Sequence, residues 1–153
     1  AVRVPAPEVL PPACDPADMV GCEFCAIVAG DRGAHVVHDG EHALAILDET
    51  PTREGHTVVL PKSHHEELLG TEEAGKEVFR VVDTVAAGLR EVLQPDGFSV
   101  FYTSGPMVGS VRHAHVHVVP REEGDRISLA LDRSALDHAA AADLAARVRA
   151  VDA

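Results

Sequence analysis

Three histidines alternate with small apolar residues at positions 113 to 117, which read His-Ala-His-Val-His. The wider stretch 109–120 alternates polar and apolar side chains, and this pattern predicts a β-strand with one buried face. Because successive side chains of a strand point to opposite faces, the three imidazoles are expected to share one face. The chain has ten His but one Tyr and no Trp, which favours a functional interpretation of this strand.

Strand geometry limits what these imidazoles can do together. Same-face neighbours lie roughly 6.7 Å apart and the outer pair roughly 13 Å apart, so one metal ion cannot easily bind all three. Two neighbours can share a metal, as in many zinc enzymes, but the third then has a different task. We therefore expect divided roles along the strand. A His-rich, solvent-facing strand is the alternative.

Length, composition and charge narrow the class of protein. A chain of 153 residues with 46% apolar residues is expected to form one globular domain. Its 25 acidic and 13 basic residues give a formal charge of −12. This charge disfavours a nucleic acid polymer as partner, because such polymers are bound through clusters of Lys and Arg. A small phosphate ester remains compatible with it, since a few His and backbone N–H groups can neutralise one locally.

Hydropathy gives an expectation about location. No apolar run approaches the roughly 20 residues that span a bilayer, and no basic segment followed by an apolar stretch opens the chain. We therefore expect no membrane helix and no signal peptide, and we predict a cytoplasmic protein.

The chain divides into three parts by composition. Residues 1–20 carry five Pro and no periodic pattern, which predicts an extended N-terminal arm. Residues 21–121 contain the predicted helices and strands of the domain. Residues 122–153 are expected to form a C-terminal extension with an Ala-rich helix over 135–151.

The predicted elements of the domain favour an α+β fold. Apolar residues recur at three- and four-residue steps over 71–93, which predicts one long helix with Thr71 as its N-cap. Consecutive strands with one packed helix indicate an α+β domain rather than an alternating parallel sheet. The other predicted elements are a short helix over 23–29, strands over 36–38, 42–48, 56–61 and 98–102, and a glycine-bearing loop over 103–109.

Four segments, in this order and at this spacing, resemble the histidine triad (HIT) family. They cover about residues 21–121. The segments are Cys22-Glu-Phe-Cys25-Ala-Ile-Val-Ala-Gly30, Leu47-Asp48, Gly55-His56-Thr-Val-Val-Leu-Pro61-Lys62-Ser-His64, and His113-Ala-His115-Val-His117-Val-Val-Pro-Arg121.

The resemblance implies both a fold and an activity. The fold is a five-stranded antiparallel sheet with one long helix and a C-terminal helix, paired into a two-fold homodimer. The activity is hydrolysis or transfer of a nucleoside monophosphate through a nucleotidyl-histidine. The implied substrates are nucleoside phosphoramidates, dinucleoside polyphosphates or related nucleotides.

The resemblance also implies which residues take part in catalysis. His115 would be the nucleophile, and this requires a neutral imidazole because a protonated ring has no lone pair to attack phosphorus. His117 and His56 would contact the phosphate or orient the nucleophile, and Ser110 would hydrogen-bond the leaving group.

A second set of residues is implied to bind the substrate. Asp48 would bind the ribose hydroxyls, with Leu47 beside it, and backbone N–H groups around Gly105 and Gly109 would bind phosphate oxygens. The sequence alone fits an alternative role for Asp48, which is to cap the turn that follows it.

Cys22 and Cys25 have the spacing of a zinc knuckle. In a reducing cytoplasm such a pair is expected to bind metal or to stay as free thiols. The resemblance implies that His64 and His113 complete a structural Zn²⁺ site, which leaves His115 for chemistry. Two alternatives remain open, namely His65 in place of His64, and two cysteines that simply pack in the core. Cys14, isolated in the Pro-rich arm, is interpreted as incidental.

The loop before the histidine strand departs from the family pattern. HIT proteins commonly carry two Asn before the loop Gly and a Gly-Gln before the Ser, whereas this loop reads Thr103-Ser104-Gly105-Pro-Met-Val-Gly109-Ser110. Because this loop is implied to touch the phosphate and the leaving group, a nucleotide- or partner-binding protein with little turnover stays open as a second hypothesis. A third is a metal-dependent hydrolase that uses the histidine cluster to activate water.

Overall fold

The computed structural model describes residues 20–105 and 111–151. The predicted arm, apart from Val20, lies outside the described residues together with its Cys14, and so do Gly109 and Ser110. Within the described ranges, three helices accompany one sheet of five strands.

The sheet is antiparallel throughout, as predicted. Its strands are β1 (Val36–Asp39), β2 (Ala43–Leu47), β3 (Thr57–Pro61), β4 (Gly97–Phe101) and β5 (Val116–Arg121). They lie in the order β1-β2-β3-β5-β4, so β5 is inserted between β3 and the edge strand β4. The first three strands form a meander, and the last two follow the long helix.

The helices are α1 (Glu23–Ala29), α2 (Glu72–Leu93) and α3 (His138–Val151). α1 ends at Gly30, whose φ of 81° lies in the left-handed region that glycine adopts without strain. All three were predicted, although α3 begins three residues later than expected. The α+β prediction is therefore confirmed.

Thr71 precedes α2 but is not the side-chain cap that its position predicted. Its hydroxyl instead donates to the carbonyl oxygens of Glu67 (3.1 Å) and Leu68 (2.7 Å) in the preceding turn. Local side-chain to backbone bonds of this kind compete with capping. The acidic Glu72 and Glu73 still stabilise this end of the helix through its dipole.

The sheet buries side chains on both faces, which fixes α1 and α2 on opposite sides of it. β3 serves both layers, because alternate residues of a strand point to opposite faces. Burial of each valine contributes about 1.5 kcal/mol. The α2 side contains Ala45, Val59, Val78, Val81, Val82, Val85, Val116 and Val118, and the α1 side contains Phe24, Leu44, Ile46, Val58 and Leu60.

The predicted strand over 109–120 is shorter than expected, because β5 begins only at Val116. Ahead of β5, the amide of Ala114 donates to a loop carbonyl at 2.6 Å instead of pairing with β3. The alternation persists nevertheless. Ala114 packs with Val116 on the α2 side, whereas the rings of His113 and His115 contact α1 on the other face.

α3 contributes no buried residue to the fold. Its apolar Leu144 and Val148 are both 56% exposed. No helix in the described ranges is both long enough and apolar enough to cross a membrane.

Candidate active site and metal centre

His115 lies just before β5, and its side chain is half-buried. Its Nδ1 is 2.8 Å from the carbonyl oxygen of His113. A carbonyl oxygen can only accept, so Nδ1 carries the proton and donates it. In the neutral ring the other nitrogen, Nε2, then holds the lone pair, which is the state that a nucleophilic imidazole requires.

His113 is fully buried, and its tautomer is the reverse of that of His115. Its Nε2 donates to the carbonyl oxygen of Pro61 at 2.8 Å, so its Nδ1 is the unprotonated atom. That Nδ1 lies 3.5 Å from the sulfur atoms of both Cys22 and Cys25. Burial lowers the pKa of His113 to about 4, and the nearby His64 and His115 add to the effect. A neutral ring with a lone pair aimed at two thiols is suited to bind a metal.

Cys22, Cys25, His64 and His113 converge on one point, with their four ligand atoms all within 4.8 Å of one another. His64 contributes its Nδ1, which is 3.2 Å from the sulfur of Cys25. In a tetrahedral zinc site, bonds of roughly 2.3 Å to sulfur and 2.05 Å to nitrogen separate the two atoms by about 3.6 Å. The observed sulfur to nitrogen distances of 3.2 and 3.5 Å are close to this value. His65 is not part of the cluster.

Phe24 connects this cluster to His115. It lies between Cys22, which caps the N-terminus of α1, and Cys25, and its ring contacts the rings of His113 and His115 edge-on at centroid distances of 5.8 and 5.1 Å. The short helix that carries the thiols therefore also supports the imidazole of His115.

A second group of side chains begins at the turn before β3. The backbone N–H of Thr52 donates to Nδ1 of His56 at 3.2 Å, so the proton of neutral His56 is on Nε2. Nε2 of His56 lies 2.8 Å from Nδ1 of His117, to which it donates. The chain of bonds therefore leaves His117 with its own proton on Nε2, where it can be donated to a bound group.

Burial keeps both of these imidazoles neutral. It lowers the pKa of His117 to about 4, with the neighbouring His115 and His56 adding to the effect. It also lowers the pKa of His56, against the opposing attraction of Asp48. Asp48 lies 3.6 Å from Nε2 of His56 and 3.8 Å from Nδ1 of His117, so it acts on the pair through its charge rather than through a hydrogen bond.

Asp48, His56 and His117 also bring three possible metal ligands together. A metal bound by this group would need a lone pair on Nε2 of His56. Because the N–H of Thr52 directs the proton of His56 onto that atom, coordination would cost this hydrogen bond. The geometry therefore favours a chain of hydrogen-bond donors here. The cluster of Cys22, Cys25, His64 and His113, called the thiol cluster below, is instead arranged for a metal.

Asp48 caps its turn, which was one of the two roles that the sequence left open. Its Oδ1 accepts from the backbone N–H of Thr50 at 2.7 Å and from the hydroxyl of the same residue at 3.3 Å. The other oxygen, Oδ2, faces the two imidazoles. Turn capping holds the carboxylate in place and does not prevent it from binding a ligand.

Two clefts meet at His115. The larger, of about 940 Å³, combines Asp48 and His117 with apolar side chains, and its volume is in the range of small-molecule sites. The smaller, of about 320 Å³, is bordered by residues 103–105 and by Arg112. The apolar lining of the larger cleft includes Phe24, Ile27, Ile46 and Leu47.

Of the other four residues predicted to contact the substrate or the leaving group, two line these clefts and two lie outside the described residues. Leu47 lines the larger cleft, whereas Gly105 lines the smaller one. Gly109 and Ser110 lie outside the described residues. Gly105 has a φ of 93°, which favours glycine at this point of the loop.

Comparison with known proteins identifies the family. The model of the HIT domain matches residues 30–124. The chain belongs to the HIT family. Among its relatives, "Protein hit" of Bacillus subtilis is 39% identical over 102 residues, which cover 65% of this chain and 70% of that protein.

Solved structures of HIT proteins share the fold. A HIT family member from Bacillus subtilis is 32% identical with a TM-score of 0.77, covering 84% of this chain and 95% of that one. A zinc-bound histidine triad family protein from Mycobacterium smegmatis is 37% identical with a TM-score of 0.67, covering 84% of this chain and 98% of that one.

In this HIT protein, the tautomers of the site histidines depend on contacts that the sequence motifs did not indicate. The carbonyls of His113 and Pro61 and the amide of Thr52 determine three tautomers, and backbone groups leave no signature in a sequence. Phe24 could have been predicted as a site residue, since it lies between the two cysteines. Phe101, which stacks on His117, could be predicted only as part of a strand.

Proposed function

We propose that this HIT protein is a nucleotide hydrolase or nucleotidyl transferase. It would cleave at the α-phosphate of a nucleoside phosphoramidate, a dinucleoside polyphosphate or a related nucleotide. The observation that carries the proposal is the hydrogen bond from Nδ1 of His115 to the carbonyl of His113, because it leaves the lone pair on Nε2 of a residue that lines both clefts.

The proposed reaction has two steps. First, Nε2 of His115 attacks the α-phosphorus, a nitrogen–phosphorus bond forms, and the bond to the leaving group breaks. The leaving group takes up a proton that comes from solvent water, and the Nε2–H of His117 and the hydroxyl of Ser110 are the candidate hydrogen-bond donors that stabilise it as it departs. In the second step water attacks the same phosphorus and loses a proton to solvent, the nitrogen–phosphorus bond breaks, and His115 departs as a neutral imidazole, which releases the nucleoside monophosphate.

The clefts support a division of the substrate between them. Phe24, Ile27 and Ile46 offer an apolar wall for a base, and Leu47 and Asp48 are proposed to bind the ribose. The leaving group would then lie on the side of the smaller cleft, beside Gly105. The backbone around Gly105 and Gly109 is proposed to bind the equatorial phosphate oxygens, and His56 to orient His117.

A second candidate function is a nucleotide- or partner-binding protein with little turnover. The observation that favours it is the loop sequence at 103–110, which lacks the Asn pair and the Gln of the family pattern. A metal-dependent hydrolase receives less support, because the ligand set best arranged for a metal contains His113 rather than His115.

We further propose that Cys22, Cys25, His64 and His113 hold a structural Zn²⁺. Two thiols and two imidazoles whose Nδ1 atoms face the sulfur atoms fit this ion, and the Mycobacterium smegmatis relative is zinc-bound. Zinc would tie α1 to the loop that carries His115 and would supply folding energy rather than chemistry.

The remaining proposals concern partners and organisation. We propose a small-molecule nucleotide as ligand, no nucleic acid polymer or membrane as partner, and a homodimer as the assembly. The acidic net charge supports the exclusion of polyanions. The cytoplasmic location and the division into parts at 1–20, 21–121 and 122–153 stay predictions.

The proposed reaction can be tested with a nucleoside 5′-phosphoramidate. His115→Ala is expected to reduce nucleotide release at least about a thousand-fold, as loss of a covalent nucleophile does. His42→Ala, which changes an imidazole that is 63% exposed, is the matched control and is expected to keep the native rate.

A covalent intermediate gives a second readout. Native protein quenched in base during turnover is expected to carry one nucleotidyl group on His115, detectable by peptide mass, and His115→Ala none. Equal rates for native protein and His115→Ala would contradict the proposed reaction and favour the binding function.

A further inference from the structure

Phe101 ends the edge strand β4 and is 45% exposed. Its ring nevertheless makes a defined contact. It stacks on the imidazole of His117, with the centroids 4.8 Å apart and the planes inclined by only 15°. The two residues are direct cross-strand partners in the pairing of β4 with β5, so the register of the sheet imposes this contact.

Three contacts define the setting of the His117 ring. Phe101 covers one face, His56 donates to Nδ1, and the ring of His115 meets it edge-on at 5.1 Å and 71°. The stack fixes the plane of the imidazole, and the bond from His56 fixes its rotation within that plane. Neither contact alone determines where Nε2–H points, because a stacked ring can still flip and a hydrogen-bonded ring can still tilt.

We propose that Phe101 is a positioning residue for His117, which keeps Nε2–H directed into the site that His115 borders. The importance of this for turnover rests on the function proposed above, but the orientation itself is a property of the free protein. Stacked aromatic pairs contribute modestly, so the expected effect on rate is about three- to ten-fold.

The neighbouring Val100 offers a matched control. It is 43% exposed, similar to Phe101, but its side chain points to the opposite face of the sheet and its cross-strand partner is Val118. A change at Val100 therefore alters the same edge strand without touching His117.

The variants to compare are Phe101→Leu, which removes the flat ring but keeps apolar bulk, Phe101→Tyr, which keeps the ring, and Val100→Ala. The first readout is the ¹⁵N resonances of His117 in the free protein, which report the proton on each ring nitrogen. Native protein is expected to show a single tautomer protonated on Nε2. Phe101→Leu is expected to show a mixture, and the other two variants the native pattern.

Kinetics provides the second readout. Phe101→Leu is expected to lower kcat about three- to ten-fold while KM stays within about two-fold, and Phe101→Tyr is expected to restore kcat. The proposal is overturned if Phe101→Leu retains the native His117 resonances. It is also overturned if Phe101→Tyr loses as much kcat as Phe101→Leu does, or if Val100→Ala changes the resonances and kcat as much as Phe101→Leu does. If native protein releases no nucleotide, the proposed function fails, and the resonances still decide the role of Phe101.

Discussion

The two histidine clusters of this protein use the same side chain in opposite ways. In the thiol cluster, His113 donates its Nε2 proton to the Pro61 carbonyl and turns a lone pair inward. In the second cluster, Nδ1 of His56 accepts a hydrogen bond from the Thr52 amide, and its Nε2–H donates one to His117. The bond to a backbone carbonyl thus leaves His113 with a free lone pair for a metal. The bond from a backbone amide leaves His56, and through it His117, with an N–H to donate. His115 lies between the two and owes its lone pair to a carbonyl.

The strongest test of this difference removes a thiol. Cys25→Ala is expected to abolish stoichiometric zinc binding and to lower the free energy of unfolding by about 3 kcal/mol or more, because bound metal contributes directly to folding. Zinc content by elemental analysis and urea unfolding with the metal-loaded protein measure both. Zinc retained at native stoichiometry would show that the cysteines are packing residues.

A neighbouring pair of histidines sharpens the same test without disturbing α1. His64→Ala is expected to weaken zinc binding strongly, since its Nδ1 lies beside the sulfur of Cys25. His65→Ala is the matched control one residue away and is expected to bind zinc as native protein does. The reverse result would move the ligand from His64 to His65.

The second cluster, formed by Asp48, His56 and His117, predicts that the protein loses stability in acid. Folding lowers the pKa of His117 from 6.5 to about 4, so between these values the unfolded chain binds a proton that the folded protein does not. The free energy of unfolding is therefore expected to fall as the pH is lowered through this window. One such side chain contributes at most about 3 kcal/mol, and less here because the ring is 24% exposed.

His117→Gln isolates this contribution from that of the carboxylates. Urea unfolding at pH 7 and pH 4.5 is expected to show a smaller acid-induced loss for His117→Gln than for native protein. Parallel losses would mean that His117 titrates normally in the folded state.

A smaller effect is expected when the chain of donors is broken at its centre. His56→Asn removes the N–H that reaches Nδ1 of His117, and we expect kcat for a nucleoside phosphoramidate to fall about 10- to 100-fold. Zinc content is expected to stay native, because His56 is not part of the thiol cluster. Loss of zinc in this variant would contradict the independence of the two clusters.

Much of the fold followed from the sequence because its patterns are local. The 3.6-residue periodicity of α2 and the turn residues that separate β1, β2 and β3 predicted elements within a few residues of those observed, and alternation predicted β5. The start of β5 was wrong, since side-chain alternation continues through 113–115 although the backbone there has left the ladder. The cap at Thr71 was wrong because a competing turn satisfies its hydroxyl.

The residues of the two clusters could be named from the sequence, but the tautomers could not. Spacing and the resemblance to the HIT family indicated Cys22, Cys25, His64 and His113. The partners that determine the tautomers are either nearby backbone groups, which leave no signature in a sequence, or groups distant in the chain, as when Nε2 of His113 donates to the carbonyl of Pro61. The same holds for Phe101 and His117, which only the strand register brings together.

The central claim is that Nε2 of His115 is the atom that attacks phosphorus. A crystal structure of the complex with adenosine or guanosine monophosphate tests it most directly. We predict an α-phosphorus within about 3.5 Å of Nε2, with Nδ1 still bonded to the carbonyl of His113. A phosphate bound away from His115, or nearest to its Nδ1, would contradict the account.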